Sequence, residues 1–456
     1  MTERVSKDIF AFINTLPPSA IDAVAKLSKQ DSKDYKILVV RDVRTKNKAS
    51  VGSADYVVDV DFTKPIQIAR ALLPYEKRLK AITCRGEWNI ARFVKVIPHV
   101  AYLRTPTTES LSWASDKYEM RKRLNVYDPK HTPKFTWVKN NSKKERLRVI
   151  DKVKFPMVVK PANLAASALV SICYHEDELE QTLKKTFRKV KGVYKKDGRI
   201  EEPKIIAEEY MEGQMYSVDS YVNSRGAIFH CPPVRVKTGR DIGHDDFYNY
   251  LRITPTKLKK ETVDSLQQRV EQSIKALGLR STTAHTELLL IDGDWKVIEL
   301  GPRIGGFRQV LHDLSCGIDH GLNDLLIRIP RKPLIPKKCN GFAAAMRYYP
   351  DQEGVITEIK GIKKITELES VHTLNVKLKV GDKSAFAKHG GGGVFDLVLY
   401  NQDRSKLLAD IRRVEQMVQV EVISKGKRNV AVKKPKAIKK KVTTQSVTKT
   451  TKKRKV

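Results

Sequence analysis

The sequence predicts a multidomain chain of mixed α/β and α+β class. It comprises a small N-terminal parallel α/β domain (1–110), a larger middle section of helices and hairpins (111–332), a small C-terminal α+β subdomain (333–424) and a disordered basic tail (425–456). Three observations lead there. The length, 456 residues, exceeds one ordinary domain and suggests about three. Strand-like runs alternate with helical patterns before residue 110, and hairpins mixed with helices follow. Charge is uneven: fourteen Lys or Arg and no acid lie between Lys425 and Val456, which leaves +21 of the formal +35 on the remaining 424 residues.

In the first section KILVV (36–40), YVVDVDF (56–62) and KAITCR (80–85) read as strands of a parallel sheet. Between the last two, a helix starts at Pro65 and places Ile66, Ala69 and Leu73 on one face. No G-x-G-x-x-G is present, so dinucleotide binding is not assigned. In the middle section KFPMVVKPA is a buried strand running into a loop, and HEDELEQTLKKTFRKV is an amphipathic helix. IIAEEYM is another strand, and SVDSYV-NSRG-AIFHC is a hairpin. The third section offers strands at AAAMRYY, LNVKLKV and VFDLVLY and a helix at KLLADIRRVEQMV. The tail has too few large apolar groups to order itself.

A hydrophobic fraction of 41% is that of a globular protein, and no run nears the roughly 18 apolar residues that a membrane span needs. Charges and prolines near the N-terminus interrupt what a signal peptide would keep apolar. Cys84, Cys173, Cys231, Cys316 and Cys339 lie far apart with no C-x-x-C, so reduced thiols in a cytoplasm are expected. The tryptophans are assigned to packing.

The segment carrying most chemistry is HTELLLIDGDWKVIELGPRIGG, 285–306. Glu287 and Glu299 are equidistant from Gly293, so a three-residue loop at 292–294 sets them directly opposite each other. Paired antiparallel positions hold Cβ atoms about 4.5–5.5 Å apart, and carboxylates that close repel unless a cation lies between them. Mg²⁺ suits such oxygen ligands. Gly301, Pro302, Arg303, Gly305 and Gly306 then form a turn where backbone approaches a ligand and a guanidinium can fork onto phosphate. The plain alternative is a surface hairpin with two solvated acids. His285, two residues before Glu287, is read as a substrate contact or a structural group, and Arg240, His244, Asp245 and Asp246 as a polar loop able to close over substrate. The run GGGG at 390–393 is read as a tight loop.

Taken in order, DKYEMR (116–121), KFPMVVKPANLAAS (154–167), AEEYMEGQMYSVD (207–219) and the H-x-E…E-x-G-P-R-x-G-G hairpin resemble the ATP-grasp superfamily, over residues 35 to 424. The pattern looks closest to the L-amino-acid ligase and carnosine-synthase-like branch, with biotin carboxylase and carbamoyl phosphate synthase more distant. The resemblance implies a two-lobed ATP-grasp core and a carboxylate-amine ligase that uses ATP with Mg²⁺, or Mn²⁺ in its place. It implies that Lys117, Lys160 and Ser167 meet the ATP phosphates and that Glu208, Glu209, Tyr210 and Met211 form the strand against adenine. Glu287 and Glu299 would hold the metal, Arg303 the phosphoryl group or carboxylate, and Lys237 the γ-phosphate. Three residues depart from the usual pattern: the phosphate loop is Ala165, Ala166, Ser167, Ala168, Leu169 rather than glycine-rich; Met215 replaces a ribose-binding acid; and Gly301 replaces a metal-binding asparagine.

The expected partners are small carboxylates and amines, amino acids among them, with a homodimer by analogy and no membrane. Two rivals stay open. One is a carboxylase-type reaction on bicarbonate. The other is a degenerate ATP-binding protein whose tail, with KKPKAIKKK and TKKRKV, makes weak nucleic-acid contacts and directs the chain to the nucleus of a eukaryotic cell.

Overall fold

The apolar runs before residue 110 build a parallel sheet. In the computed structural model, which describes residues 7–45, 51–164, 167–196 and 198–424, this sheet contains β1 (Ile9–Ile13), β2 (Lys36–Asp42), β3 (Tyr56–Val60) and β4 (Leu79–Cys84). They lie in the order β3-β2-β1-β4. The sequence reading assigns no strand before residue 36, yet β1, IFAFI, occupies the centre. It is buried on both faces and therefore shows no alternation to read.

Helices α1 (Pro18–Asp31), α2 (Pro65–Leu72) and α3 (Ile90–Val96) belong to this section. The helix at Pro65 forms, but its inner face is not the expected one. Ile66 and Leu73 are 69% and 67% exposed, whereas Ile68 and Leu72, one turn apart, are buried.

The middle section opens with α4 (Thr108–Ser115) and α5 (Lys117–Tyr127). Asp116 caps α5 by accepting from the backbone N–H groups of Tyr118 and Glu119, so DKYEMR begins a helix with Lys117 as its first residue. A four-stranded antiparallel sheet follows, of β5 (Phe135–Val138), β6 (Met157–Pro161), β7 (Ser171–Cys173) and β8 (Ile205–Glu209), in the order β5-β8-β6-β7. Against it pack α6 (Lys143–Val153) and α7 (Glu176–Lys196), whose Val149, Val153, Leu179 and Leu183 meet Val159 and Ala207 of the sheet.

The largest sheet takes β9 (Gln214–Val222), β10 (Ile228–His230), β11 (Val234–Thr238), β12 (Asn249–Thr254), β13 (Thr282–Ile291) and β14 (Asp294–Gly301). After these come β15 (Phe342–Tyr348), β16 (Gly354–Lys360), β17 (Val371–Val376), β18 (Lys383–Ser384), β19 (Phe395–Asn401) and β20 (Gln419–Ile423). The strand order is β14-β13-β9-β11-β12-β15-β19-β17, with β10 paired on β9. Residues beyond 333 thus extend the central sheet through the β12–β15 pairing, and only β16, β18 and β20 make a small sheet of their own. The accompanying helices are α8 (Lys260–Ala276), α9 (Arg308–Cys316), α10 (His320–Arg328), α11 (Ile362–Ile365) and α12 (Arg404–Met417).

Two further points bear on the sequence reading. Cys316 and Cys339 are joined in a disulfide, with S–S 2.13 Å, and only Cys84, Cys173 and Cys231 are free thiols. This corrects the expectation that all five are reduced: the end of α9 and the segment before β15 are held side by side, Asn340 N–H donating to the Ser315 carbonyl at 2.7 Å, and linear spacing does not show that proximity. The basic tail and its expected disorder, nucleic-acid contact and nuclear signal lie outside the described residues. No described helix is long and apolar enough to cross a membrane.

Candidate nucleotide and carboxylate site

Glu287 and Glu299 are cross-strand partners in the β13–β14 hairpin. The route to that register differs from the three-residue loop expected. Ile291 pairs with Asp294, so the turn is the two-residue Asp292-Gly293 with φ of 48° and 87°, as a type I′ turn requires. A bulge then skips Ile298, because Leu288 pairs with Val297 and Glu287 with Glu299. The shorter turn and the extra residue cancel.

The two carboxylates face a cavity of about 960 Å³ between the four-stranded lobe and the large sheet. Lys117, Lys160, Ser167, Glu208, Glu209, Tyr210, Met211, Glu287, Glu299 and Arg303 all line it. Lys237 does not. On β11 the neighbouring Val236 is buried in the apolar floor with Met215 and Leu289, so pleat alternation turns Lys237 outward, where it is exposed. The cation on this side of the cavity is Arg240, from the loop of Arg240, His244, Asp245 and Asp246. Lys388 ties that loop down, its ammonium 2.6 Å from Asp245 and its N–H donating to Asp246. Trp88 is 51% exposed and lines the cavity, so it is not a packing residue.

The cavity has an apolar end and a charged end. Val158, Met211, Met215, Leu289 and Ile298 form a slot beside the chain at 208–211, with Met215 where an acid was the usual residue. Ser167 and Leu169 in the small-residue loop have φ of 58° and 57°, a left-handed bend that costs a non-glycine residue roughly 1–2 kcal/mol.

At the charged end Glu208 is 3% exposed and receives Lys160 at 2.5 Å and Arg121 at 2.8 and 3.2 Å. Burial alone would raise its pKa, but Arg121 and Lys160 hold it down to about 2. For Lys160 burial dominates and lowers the ammonium, aided by Arg121 and Lys117, while Glu208 alone opposes. Lys117 lies 3.1 Å from Glu299 and donates to the Leu164 carbonyl at 2.8 Å. Burial would lower Lys117, but Glu299 and Glu87 raise it.

Arg303 reaches back to Glu87 of the N-terminal section, at 3.0 and 2.6 Å, and against the effect of burial Arg303, Lys117 and Arg199 hold Glu87 at about 2. His285 stands between Asp219 (3.2 Å) and Glu287 (3.3 Å) and is raised by both despite its burial. Asp219 also accepts from Gly305 N–H at 2.8 Å and lies 3.3 Å from Arg308, which donates to Ser217. These contacts anchor the GPRIGG turn to β9.

The carboxylate pair fits a hard divalent cation. Glu287 gives one oxygen to His285 and Glu299 gives one to Lys117, leaving Glu287 Oε2 and Glu299 Oε1 without hydrogen-bond partners among the described residues. Burial alone would raise the pKa of Glu287, but His285, Arg303 and Arg308 hold it down to about 2, so it is ionised. Arg121, Glu87, Asp219, Arg252 and Arg308 also shape the site and are not assigned by the sequence reading. Arg121 stands inside the quoted DKYEMR, and its spacing from Lys117, one turn along a capped helix, was the available signal.

The cleft lies between two antiparallel sheets, with the paired acids on the larger, Lys160 on the smaller and Lys117 at the start of α5. Residues 153–310 match the ATP-grasp domain family, and the chain carries that domain. Its fold is that of L-amino acid ligase from Bacillus licheniformis, with a TM-score of 0.72 at 19% identity over 93% of this chain and 100% of that one. It is also similar to N5-carboxyaminoimidazole ribonucleotide synthetase from Thermotoga maritima (TM-score 0.61, 15% identity, 91% of this chain and 100% of that). A third is biotin carboxylase from Campylobacter jejuni, solved as a beta-gamma-ATP complex (TM-score 0.59, 16% identity, 91% and 92%). No curated protein sequence matches the chain.

Proposed function

We propose that this chain is a carboxylate-amine ligase that consumes ATP with Mg²⁺ and forms an amide, ADP and phosphate. The observation that carries the reading is the register-paired Glu287 and Glu299 lining a cavity that is also lined by the apolar Val158, Met211, Met215 and Leu289. In this reading the base lies between Val158, Met211, Met215 and Leu289, against the backbone at 208–211. Lys117 and Lys160, with the loop at Ser167, meet the phosphates. Mg²⁺ on Glu287 and Glu299 would neutralise charge on the transferred phosphoryl group.

The acid is bound by guanidinium groups. Arg252 is buried and has no carboxylate partner among the described residues, its one hydrogen bond going to the Asn249 carbonyl at 3.1 Å. Burial, with Arg308 and Arg347 close by, lowers it to about 9, so a carboxylate arriving there relieves a real electrostatic cost. The acid's oxygen attacks the γ-phosphorus and ADP leaves. An amine then attacks the acyl carbon, expelling phosphate and losing one proton. Arg303, held by Glu87, steadies the phosphoryl group during both displacements. Amino acids as acid and amine, a cytoplasmic setting and a homodimer are part of the proposal.

The test is ADP and phosphate release by the purified protein across pools of amino acids and other small carboxylates, with Glu287→Ala/Glu299→Ala as control. Release that needs one acid and one amine, and vanishes in the control, supports the reading. AMP and pyrophosphate as products, or stimulation by bicarbonate alone, would overturn it.

A further inference from the structure

Further along β9 from the carboxylate pair, beyond Asp219, three elements bring soft and borderline metal ligands together. Cys231 follows β10, His312 lies within α9 and His320 opens α10, and they are 1%, 0% and 1% exposed. One ligand atom from each lies within 4.8 Å of the other two. His312 Nδ1 and His320 Nε2 face each other at 2.8 Å, a hydrogen bond that would open by about 0.5 Å for both nitrogens to sit on one tetrahedral ion.

The outer nitrogens are already engaged. His312 Nε2 lies 3.1 Å from the Pro232 carbonyl, which only accepts, so that nitrogen carries the proton and Nδ1 presents a lone pair. His320 Nδ1 is 2.6 Å from the Tyr221 hydroxyl. Imidazoles anchored in this way on a carbonyl and a hydroxyl are oriented as metal ligands usually are. The surroundings are apolar, with Ile318, Ile327 and Cys316 in the same cluster. The carboxylate site uses neither histidine.

We infer that Cys231, His312 and His320 form a zinc site, separate from the Mg²⁺ carboxylates and specified by its sulfur and nitrogen donors. On binding, the Cys231 S–H proton leaves to solvent, and the His320 ring proton moves from Nε2 to Nδ1, where the Tyr221 oxygen accepts it. The ion clamps the α9–α10 corner to β9 and β10. Helix α9 begins at Arg308, so the site sets the position of the GPRIGG turn through that helix.

The test uses the full chain with excess Mg²⁺ to occupy the carboxylates. Zn²⁺ binding to wild type is measured by competition with a chromophoric chelator, and Co²⁺ titration follows the thiolate-to-cobalt charge-transfer band. The expected result is one Zn²⁺ per chain and a Co²⁺ band that saturates at one equivalent. The band is lost in Cys231→Ser and in His320→Gln and kept in Glu287→Gln/Glu299→Gln. A wild type that takes no Zn²⁺ from the chelator overturns the inference whether or not the variants fold. So does a Cys231→Ser protein with full stoichiometry and an unchanged band.

Discussion

Replacing Glu208 by Gln removes the one anion that faces both Lys160 and Arg121. Its pKa falls from 4.5 to about 2 on folding, which corresponds to roughly 3 kcal/mol at neutral pH. Breaking a buried pair by removing one partner costs about 3–5 kcal/mol, in agreement. For a lobe of this size that is a drop in Tm of roughly 10 °C. The ammonium of Lys160, which burial and its cationic neighbours already lower, loses the only group opposing them, so its pKa falls further. The KM for ATP then rises by about tenfold or more, one lost charge-assisted hydrogen bond being worth about 1.5–3 kcal/mol. Calorimetry and steady-state kinetics read the two effects, with Glu209→Gln, an exposed neighbour, as control. A Tm within about 2 °C of wild type together with an unchanged ATP KM would refute the reasoning about this buried triad.

Gly305→Ala places a Cβ 2.5 Å from two ring atoms of His285 and 2.9 Å from Arg308 Cγ, whereas Gly306→Ala meets nothing within 4 Å. The first is expected to lower kcat by about tenfold or more and the second to be tolerated; equal activity of the two would sink the role given to His285. Arg252→Met is expected to raise the KM of the acid by about a hundredfold with the ATP KM unchanged, and an equal change in both would remove Arg252 from the acid site. Glu145 is held at about 2 by Arg148 and the Lys139 N–H, against a modest effect of burial. Its contribution, about 1 kcal/mol after solvent screening, is present above its ordinary pKa and lost as pH falls from about 4.5 toward about 2. The gap in denaturation midpoint between wild type and Glu145→Gln should therefore close over that window, and a constant gap would exclude the linkage.

The sequence revealed what depends on local spacing. The opposition of Glu287 and Glu299 followed from their symmetry about Gly293, although a two-residue turn and a bulge at Ile298 produce it. The strand-end Lys160 and the capped Lys117 were equally visible. Lys237 was misplaced because β11 buries Val236, and a single strand does not announce which face is inward. The inner face of α2 was missed for the same reason on a helix. Glu87, Asp219 and Arg121 escaped because their partners are remote in the chain: Arg303 lies 216 residues from Glu87, and His285 lies 66 from Asp219. Pairings of that kind exist only once the sheet order is known.

The Glu87–Arg303 contact has a consequence for how such chains can be recombined. A carboxylate from the parallel N-terminal section neutralises the guanidinium proposed to steady the transferred group, so the two sections share one charge balance. A chimera that exchanges residues 1–110 for those of a relative lacking an acid at this position would leave the half-buried Arg303 with its main counter-ion removed, even with every strand of the large sheet intact. Exchange of that module is expected to succeed only where the acid and the arginine travel together, which makes them a pair to follow when substrate choice is engineered by swapping sections.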